Sequence, residues 1–416
     1  VGANSFFENM GDGTFLKVSE EMGLADPRWS SSAAWGDLDL DGDLDLYLCN
    51  YVQYDPYSPM TCEKDGLPAL CHPRQIPHWE DECFENLGDG RFIRKTINWN
   101  LHGEGNKGLG VAIADFSNDG WPDIYVANDT TANFLFINQK GHGFEDAAVK
   151  LGAALSGDGA MQASMGVATA DVNRDGTLDL FLTHFTGESH TLYKNLGEFG
   201  FLDISGITGI HRASFPKLGF GTVMLDFDAN GIDEILVTHG HIDDRNADGD
   251  GYEQSAQFFI NIGDRWVDHS LHCGGYFQKR VVGRGLATGD YDNDGDLDVC
   301  IVHQNSPVAL LENHSTMENW LKIRLIGNQA NRTGIGTRIT LDGGDQEIPG
   351  VWELAGGTSY CSTHQAEIYL GLGDRKKPLT VEIHWPIGET QHVRVENFNH
   401  TLTVVQSGPT FFSRAE

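Results

Sequence analysis

The sequence predicts an all-β protein, a β-propeller of four-stranded blades followed by a small C-terminal β-sandwich-like domain. Three observations lead there. A nine-residue acidic loop recurs five times: DLDLDGDLD (37–45), DFSNDGWPD (115–123), DVNRDGTLD (171–179), DFDANGIDE (226–234) and DYDNDGDLD (290–298). Each copy follows a small-residue run such as GLGVAIA or GRGLATG and leads into a short apolar strand such as DLYLCN or DIYVAN. A further strand then ends on Asn and a Gly turn, as in CFENLGDGRF (83–92) and LYKNLGEFGF (192–201). Strand, acidic loop, strand, Gly turn and strand make an antiparallel four-stranded unit, and tandem units of this size build propellers.

The loops start 78, 56, 55 and 64 residues apart, which fits one unit with an insertion after the first loop (51–82) and a smaller one after the fourth (239–255). Gly and Ala before each loop suit the strand nearest the crowded axis. A hairpin at 5–18 precedes the first loop and PVALLEN (307–313) follows the last, so the chain begins part-way through a blade. Either the first hairpin closes a five-bladed ring or further blades lie upstream, and the second alternative is preferred. Residues 1–315 are assigned to the propeller, 316–408 to the second β domain and 409–416 to a tail.

A formal charge of −32 argues against nucleic-acid and anionic-membrane partners. Hydrophobic content of 40% and 51 glycines indicate a globular, turn-rich chain. No apolar run approaches the ~18–20 residues of a membrane span. The opening VGANSFFENMGDGTF reads as folded structure rather than a signal peptide, so a mature or truncated chain is expected. Cys62 and Cys71 flank CEKDGLPALC and suggest a local disulfide; Cys49 and Cys83 border the same insertion as a second candidate pair, and Cys300 reads as a buried thiol. Sequons at Asn128, Asn313, Asn331 and Asn399 are glycosylation candidates.

Calcium takes six to eight hard oxygens, and a D-x-D-x-D-G-x-x-D loop supplies them by curling round the ion. The expected ligands are Asp37, Asp39, Asp41, Asp43 and Asp45; Asp115, Ser117, Asp119, Trp121 and Asp123; Asp171, Asn173, Asp175, Thr177 and Asp179; Asp226, Asp228, Asn230, Ile232 and Glu234; and Asp290, Asp292, Asp294, Asp296 and Asp298. The seventh loop position offers its backbone carbonyl, and Gly42, Gly120, Gly176, Gly231 and Gly295 stand at the sixth, where the chain must turn sharply. An EF-hand is excluded, because Leu48, Val126, Leu182, Val237 and Ile301 stand where its twelfth-position Glu belongs. About five structural calcium ions are expected. The first and fifth loops, with four carboxylates each at positions one, three, five and nine, should bind most tightly. DRNADGDGYE (244–253) has Tyr252 at position nine and reads as a plain acidic loop.

These tandem loops resemble FG-GAP/VCBS calcium-binding propeller blades. NKGLGVAIADFSNDGWPDIYVANDTTANFLFIN (106–138), GESHTLYKNLG (187–197) and GRGLATGDYDNDGDLDV (283–299) resemble the cartilage acidic protein family and its bacterial relatives, as does the Cys-bearing insertion. Residues 319–389 resemble the ASPIC/UnbV domain that follows this propeller. The resemblance implies a secreted or cell-surface calcium-binding protein used in extracellular contacts or matrix, without a defined reaction.

Beyond the loops, the histidines are the side chains best suited to chemistry. His239 and His241 in THGHID read as an exposed turn pair, His184 and His190 as members of a face loop, and HSLHC (269–273) lacks a fourth ligand nearby. Trp79, Trp99, Trp121, Trp266 and Tyr252 read mainly as packing residues. The leading expectation is an adhesion, matrix or self-assembling module with extracellular protein or glycan partners. The alternatives are a lectin-like glycan binder and a polysaccharide lyase, the latter weakened by 28 dispersed Lys and Arg residues.

Overall fold

The computed structural model describes residues 2–64, 66–103, 105–245, 249–344 and 348–414. The five repeats form five antiparallel sheets with strands in chain order. The first blade comprises Ser30–Gly36, Asp45–Asn50, Glu82–Asn86 and Phe92–Arg94. The second comprises Gly108–Ala114, Asp123–Asn128, Phe134–Asn138 and Phe144–Asp146. The third has Val167–Ala170, Asp179–Leu182, Thr191–Asn195 and Phe201–Asp203, and the fourth Gly219–Leu225, Glu234–His239, Gln257–Ile262 and Arg265–Asp268. Gly283–Gly289, Asp298–His303 and Ala309–Leu311 make a three-stranded fifth blade.

Strand alternation puts successive side chains on opposite faces, so each middle blade packs against two neighbours. In the second blade, Val111, Ile113, Ile124 and Val126 share a core with Ala34 and Tyr47 of the first. The intervening Ala112, Ala114, Tyr125 and Ala127 join Val167, Leu180 and Leu182 of the third. Equivalent cores join the third blade to the fourth and the fourth to the fifth. The inner strands pack side by side in chain order, with no comparable packing between the first and fifth among the described residues. The N-terminal hairpin, Phe7–Asn9 with Phe15–Lys17, is a separate two-stranded sheet and does not complete the fifth blade. Phe6 beside it packs with Leu24, Trp35 and Phe92 against the first blade.

The C-terminal part is a sandwich of two four-stranded sheets. One orders Ile368–Gly373, Asn319–Ile326, His400–Val405 and Thr410–Arg414; the other orders Ile348–Glu353, Arg338–Asp342, Leu379–His384 and Gln391–Val395. Leu321, Ile323 and Leu402 of the first meet Ile339, Val381 and Ile383 of the second in one core. Residues 410–414, expected in a tail, are instead an edge strand paired with 400–404, because backbone donors of His400–Val405 would otherwise lie at an open sheet edge.

A short excursion from this sandwich enters the propeller axis. Gly356 and Gly357 pair with Ile113 and Ala112 of the second inner strand. The Val167 amide of the third donates to the Ser359 carbonyl at 3.1 Å. Ser359 Oγ accepts from the Thr222 amide of the fourth at 3.2 Å and donates to the Leu286 carbonyl of the fifth at 2.8 Å. The Cys361 amide donates to Ser32 Oγ of the first at 3.1 Å. One segment therefore binds all five inner strands, whose Gly and Ala residues leave it room; a Cβ on Gly356 would stand 1.8 Å from the Trp35 carbonyl oxygen.

Cys62 and Cys71 form a disulfide. Cys49 and Cys83 are separate buried thiols, because the register sets Tyr47, not Cys49, opposite Cys83. Cys300 is half-buried and free.

Candidate metal centres

All five acidic loops fold alike. Position four is left-handed in each (Leu40, Asn118, Arg174, Ala229 and Asn293, φ between 57° and 62°), and the glycine at position six has φ of 88–102°. The position-one carboxylate turns inward and accepts the backbone amides of positions five and six in four loops. Asp37 takes Asp41 and Gly42, Asp115 takes Asp119 and Gly120, Asp171 takes Asp175 and Gly176, and Asp226 takes Asn230 and Gly231.

Position nine, expected only to close the metal site, also staples the blade. Asp45 accepts the Leu38 and Asn86 amides, both at 2.9 Å. Asp123 accepts those of Ser117 and Asn138, Asp179 those of Val172 and Asn195, and Asp298 those of Tyr291 and Asn313. The third-strand Asn then reaches further. Asn138 Nδ2 donates to the Pro122 carbonyl of its own loop at 3.0 Å and to Leu38 of the preceding loop at 2.8 Å. Asn195 repeats this with Leu178 and Phe116, and Asn313 reaches Phe227. These asparagines latch the second, third and fifth blades to the loop before each. Their partners lie 79–100 residues away, so only the recurring Asn was visible in the sequence.

The loops differ in what they gather. Ligand atoms of Asp37, Asp39 and Asp41 lie within 4.8 Å of one another, as do those of Asp226, Asp228 and Glu234, and of Asp290, Asp292 and Asp294. The second and third loops, with Ser117 and Asn173 at position three, bring no such trio together among the described residues. Asp39 Oδ1, Asp290 Oδ1 and Asp296 Oδ1 are buried without a hydrogen-bond partner. Burial pushes Asp37 up to about 7, Asp226 and Asp296 to about 7 and Asp45 to about 8, and the neighbouring loop carboxylates push in the same direction. Unpaired buried acceptors among all-oxygen donors fit a hard divalent cation, which would supply the missing positive charge.

The sandwich covers this face. Gly42 lies against the Gln329 carbonyl, and Arg338 bonds Asp115. The Val351 amide donates to Asp171 Oδ2 at 3.0 Å, and the Gly373 amide to the Ala229 carbonyl at 2.9 Å. Lys322 bonds Asp290, and the Tyr369 hydroxyl donates to the Gly295 carbonyl at 2.8 Å. All five loops thus touch the second domain, a contact that nothing in the loop sequences announced.

The sequence-derived residues outside the loops fare differently. Asn128 and Asn331 are buried, and their amide nitrogens donate to the Ala132 and Ile335 carbonyls, so neither offers a glycosylation nitrogen in the folded chain. Asn313 serves a blade latch, whereas Asn399 is exposed. Trp99 and Trp266 sit in interblade cores, and Trp79, Trp121 and Tyr252 are half-buried. Residues 246–248 of the 244–253 loop lie outside the described residues; Asp250 is held by Lys217 and Arg280.

His239 and His241, expected to be exposed, are buried, as are His184 and His190. The His184 amide donates to His190 Nδ1 at 3.1 Å, so neutral His190 carries its proton on Nε2, 3.1 Å from His239 Nε2. Burial lowers all three rings, His184 to about 4; the neighbouring His184 lowers His190 further, the neighbouring His190 lowers His239 further, and Lys217 acts on both in the same direction. A cavity of about 530 Å³ beside the axial segment is lined by Ser31, Ser32, Lys322, Cys361 and His364. Burial lowers His364 there to about 4, and Cys361 is an exposed free thiol.

Comparison with known proteins places this architecture in a class. The FG-GAP-like repeat profile matches residues 2–48, 76–126 and 115–182, and the ASPIC and UnbV profile matches 327–410. The chain carries FG-GAP-like repeats followed by an ASPIC/UnbV domain. Its homologues include cartilage acidic protein 1 of Mus musculus (27% identical over 313 residues, 72% of this chain and 45% of the relative) and of Xenopus tropicalis (26% over 344, 78% and 49%). The human protein is 26% identical over 313 residues, 72% of this chain and 44% of the relative. The chain spans just under half the length of these relatives. Among solved structures, an Agrocybe aegerita lectin recognising terminal N-acetylglucosamine aligns with TM-score 0.39 and 15% identity over 74% of both chains. The BP39L lectin of Burkholderia pseudomallei aligns with TM-score 0.33 and 11% identity over 90% of this chain and 89% of its own. Both likenesses are too low to bear on function.

Two predictions follow from the loop and histidine geometry. Asn138→Ala strips two carbonyls of a donor and should cost about 2–4 kcal/mol in urea denaturation. Asn86→Ala, whose Nδ2 bonds Leu44 of its own loop at 3.3 Å, should cost about 1 kcal/mol; equal losses would show that the reach between blades adds nothing. The buried histidines have folded pKa values below the unfolded ~6.5, so the stability they contribute is complete above that pH and falls below it. The loss is up to about 1.4 kcal/mol per histidine per pH unit. In EDTA, His239→Gln should flatten the fall in unfolding free energy between pH 7 and pH 5, and wild-type and variant curves of equal slope would contradict it.

Proposed function

We propose that this chain is the calcium-binding propeller module of a secreted or cell-surface protein, engaged in adhesion, matrix or self-assembly contacts, with calcium holding the fold. The observation that carries the reading is the covering of the loop face. The position-one carboxylates are 1–7% exposed, and the second domain lies on every loop. A catalytic ion needs a coordination position open to substrate, whereas a structural ion needs buried carboxylates to neutralise. The Cys62–Cys71 disulfide supports an oxidising compartment. No helix is long and apolar enough to cross a membrane among the described residues. The bridged insertion exposes Tyr57, Met60 and Leu70, an apolar surface suited to a protein or glycan partner.

Sedimentation velocity and glycan-array binding, each with about 1 mM calcium and with EDTA, test this reading. Calcium-dependent association or glycan retention without turnover is expected. Release of unsaturated uronate products from an acidic polysaccharide would overturn it in favour of a lyase.

A further inference from the structure

Resting on the reading that the loops take calcium, the second and fifth loops differ in the cation each one needs. The second loop already holds one. Arg338, on the Arg338–Asp342 strand of the sandwich, donates from Nη1 to Asp115 Oδ2 at 2.9 Å and bonds Asn118 Oδ1 through the same nitrogen. Its Nε stands 3.4 Å from Glu353 Oε2, and Glu353 Oε1 accepts the Asp115 amide at 3.0 Å. The guanidinium is 14% exposed, and Glu353 is 1% exposed, so the arrangement is closed around the position-one carboxylate. Both oxygens of Asp115 are satisfied, Oδ1 by the Asp119 amide and Oδ2 by Gly120 and Arg338. Asp115 itself has no orphaned oxygen like Asp39 Oδ1 in the first loop or Asp290 Oδ1 and Asp296 Oδ1 in the fifth; the unmatched acceptor there is Glu353 Oε2, in ion-pair but not hydrogen-bond contact with Arg338.

The fifth loop differs in kind. Lys322 bonds Asp290 Oδ2 and stands 3.9 Å from Glu367 Oε2, which leaves Asp290 Oδ1 buried and without a partner; a carboxylate oxygen of Asp290 clusters with those of Asp292 and Asp294. The Lys322 ammonium reaches only one oxygen of Asp290, whereas the planar guanidinium fork of Arg338 spans Asp115, Asn118 and Glu353 at once. Asp290 is therefore placed to bridge Lys322 and a metal, but Asp115 is not.

We propose that Arg338 is the resident cation of the second loop, replacing calcium there and fastening the sandwich to the propeller without metal, while the fifth loop shares Asp290 between Lys322 and calcium. The loss of one carboxylate to Ser117 fits this exchange, since a loop with fewer charges needs a smaller counter-charge.

Calorimetric titration of the full chain with calcium chloride tests the assignment. Asp290→Asn should remove one bound ion, and Asp115→Asn should remove none. Loss of an ion from Asp115→Asn equal to that from Asp290→Asn would overturn the proposal. Absence of calcium uptake by the wild-type chain would instead overturn the reading of the loops as metal sites. Arg338→Gln is expected to melt lower in EDTA and to gain more from calcium than the wild type does, because Asp115 is freed; an equal or smaller calcium gain counts against the proposal. If Arg338→Gln fails to fold by circular dichroism, the Asp115→Asn titration still decides.

Discussion

The structure depends on buried negative charge. Each blade turns around a loop with carboxylates at its first and ninth positions, and in four of the five the first is held by backbone amides; Asp123 and Asp179 at position nine have no exposed surface at all. Burying a carboxylate without a counter-charge costs several kcal/mol, and amide donors recover only part of that. The loop conformation, the Gly at position six and the staple to the third strand all serve to crowd donors around these groups. The backbone leaves Asp39, Asp290 and Asp296 each with a buried oxygen that has no hydrogen-bond partner, an arrangement that a bound cation would complete.

The second domain follows from the same constraint. It lies on the face where the acids gather and contributes Arg338 and Lys322 as well as the Val351 amide to position-one carboxylates. Its excursion through Ser359 then ties the inner strands together along the axis. Blades held only by pairwise cores could shear past one another; a segment bonded to all five, together with the asparagine latches, resists that.

Much of this was legible in the chain itself. The period of the acidic loops and the Gly/Ala runs beside them identified blades, because both are local consequences of a tight turn and a crowded axis. Glycine marked position six, but the equally left-handed position four is Leu, Asn, Arg or Ala and carried no signal. Asn138 was visible as a strand end, yet its partner Leu38 is a hundred residues away. Arg338 and Glu353 looked like ordinary charged residues of a β domain until packing set them on the second loop. The unpaired Cys49 and Cys83 and the burial of His239 and His241 likewise depend on register and on what covers a strand end, which local patterns do not encode.

Divalent cations that complete the charge balance of the buried loops would thereby hold the fold. Differential scanning calorimetry of the full chain, from excess EDTA through rising free calcium at constant pH and ionic strength, tests it most directly. An ion that binds only the folded state adds RT ln(1 + [L]/Kd) per site. The melting temperature should be lowest in EDTA and climb with the logarithm of calcium once the sites begin to fill. A melting temperature that stays constant from EDTA to millimolar calcium would contradict the account.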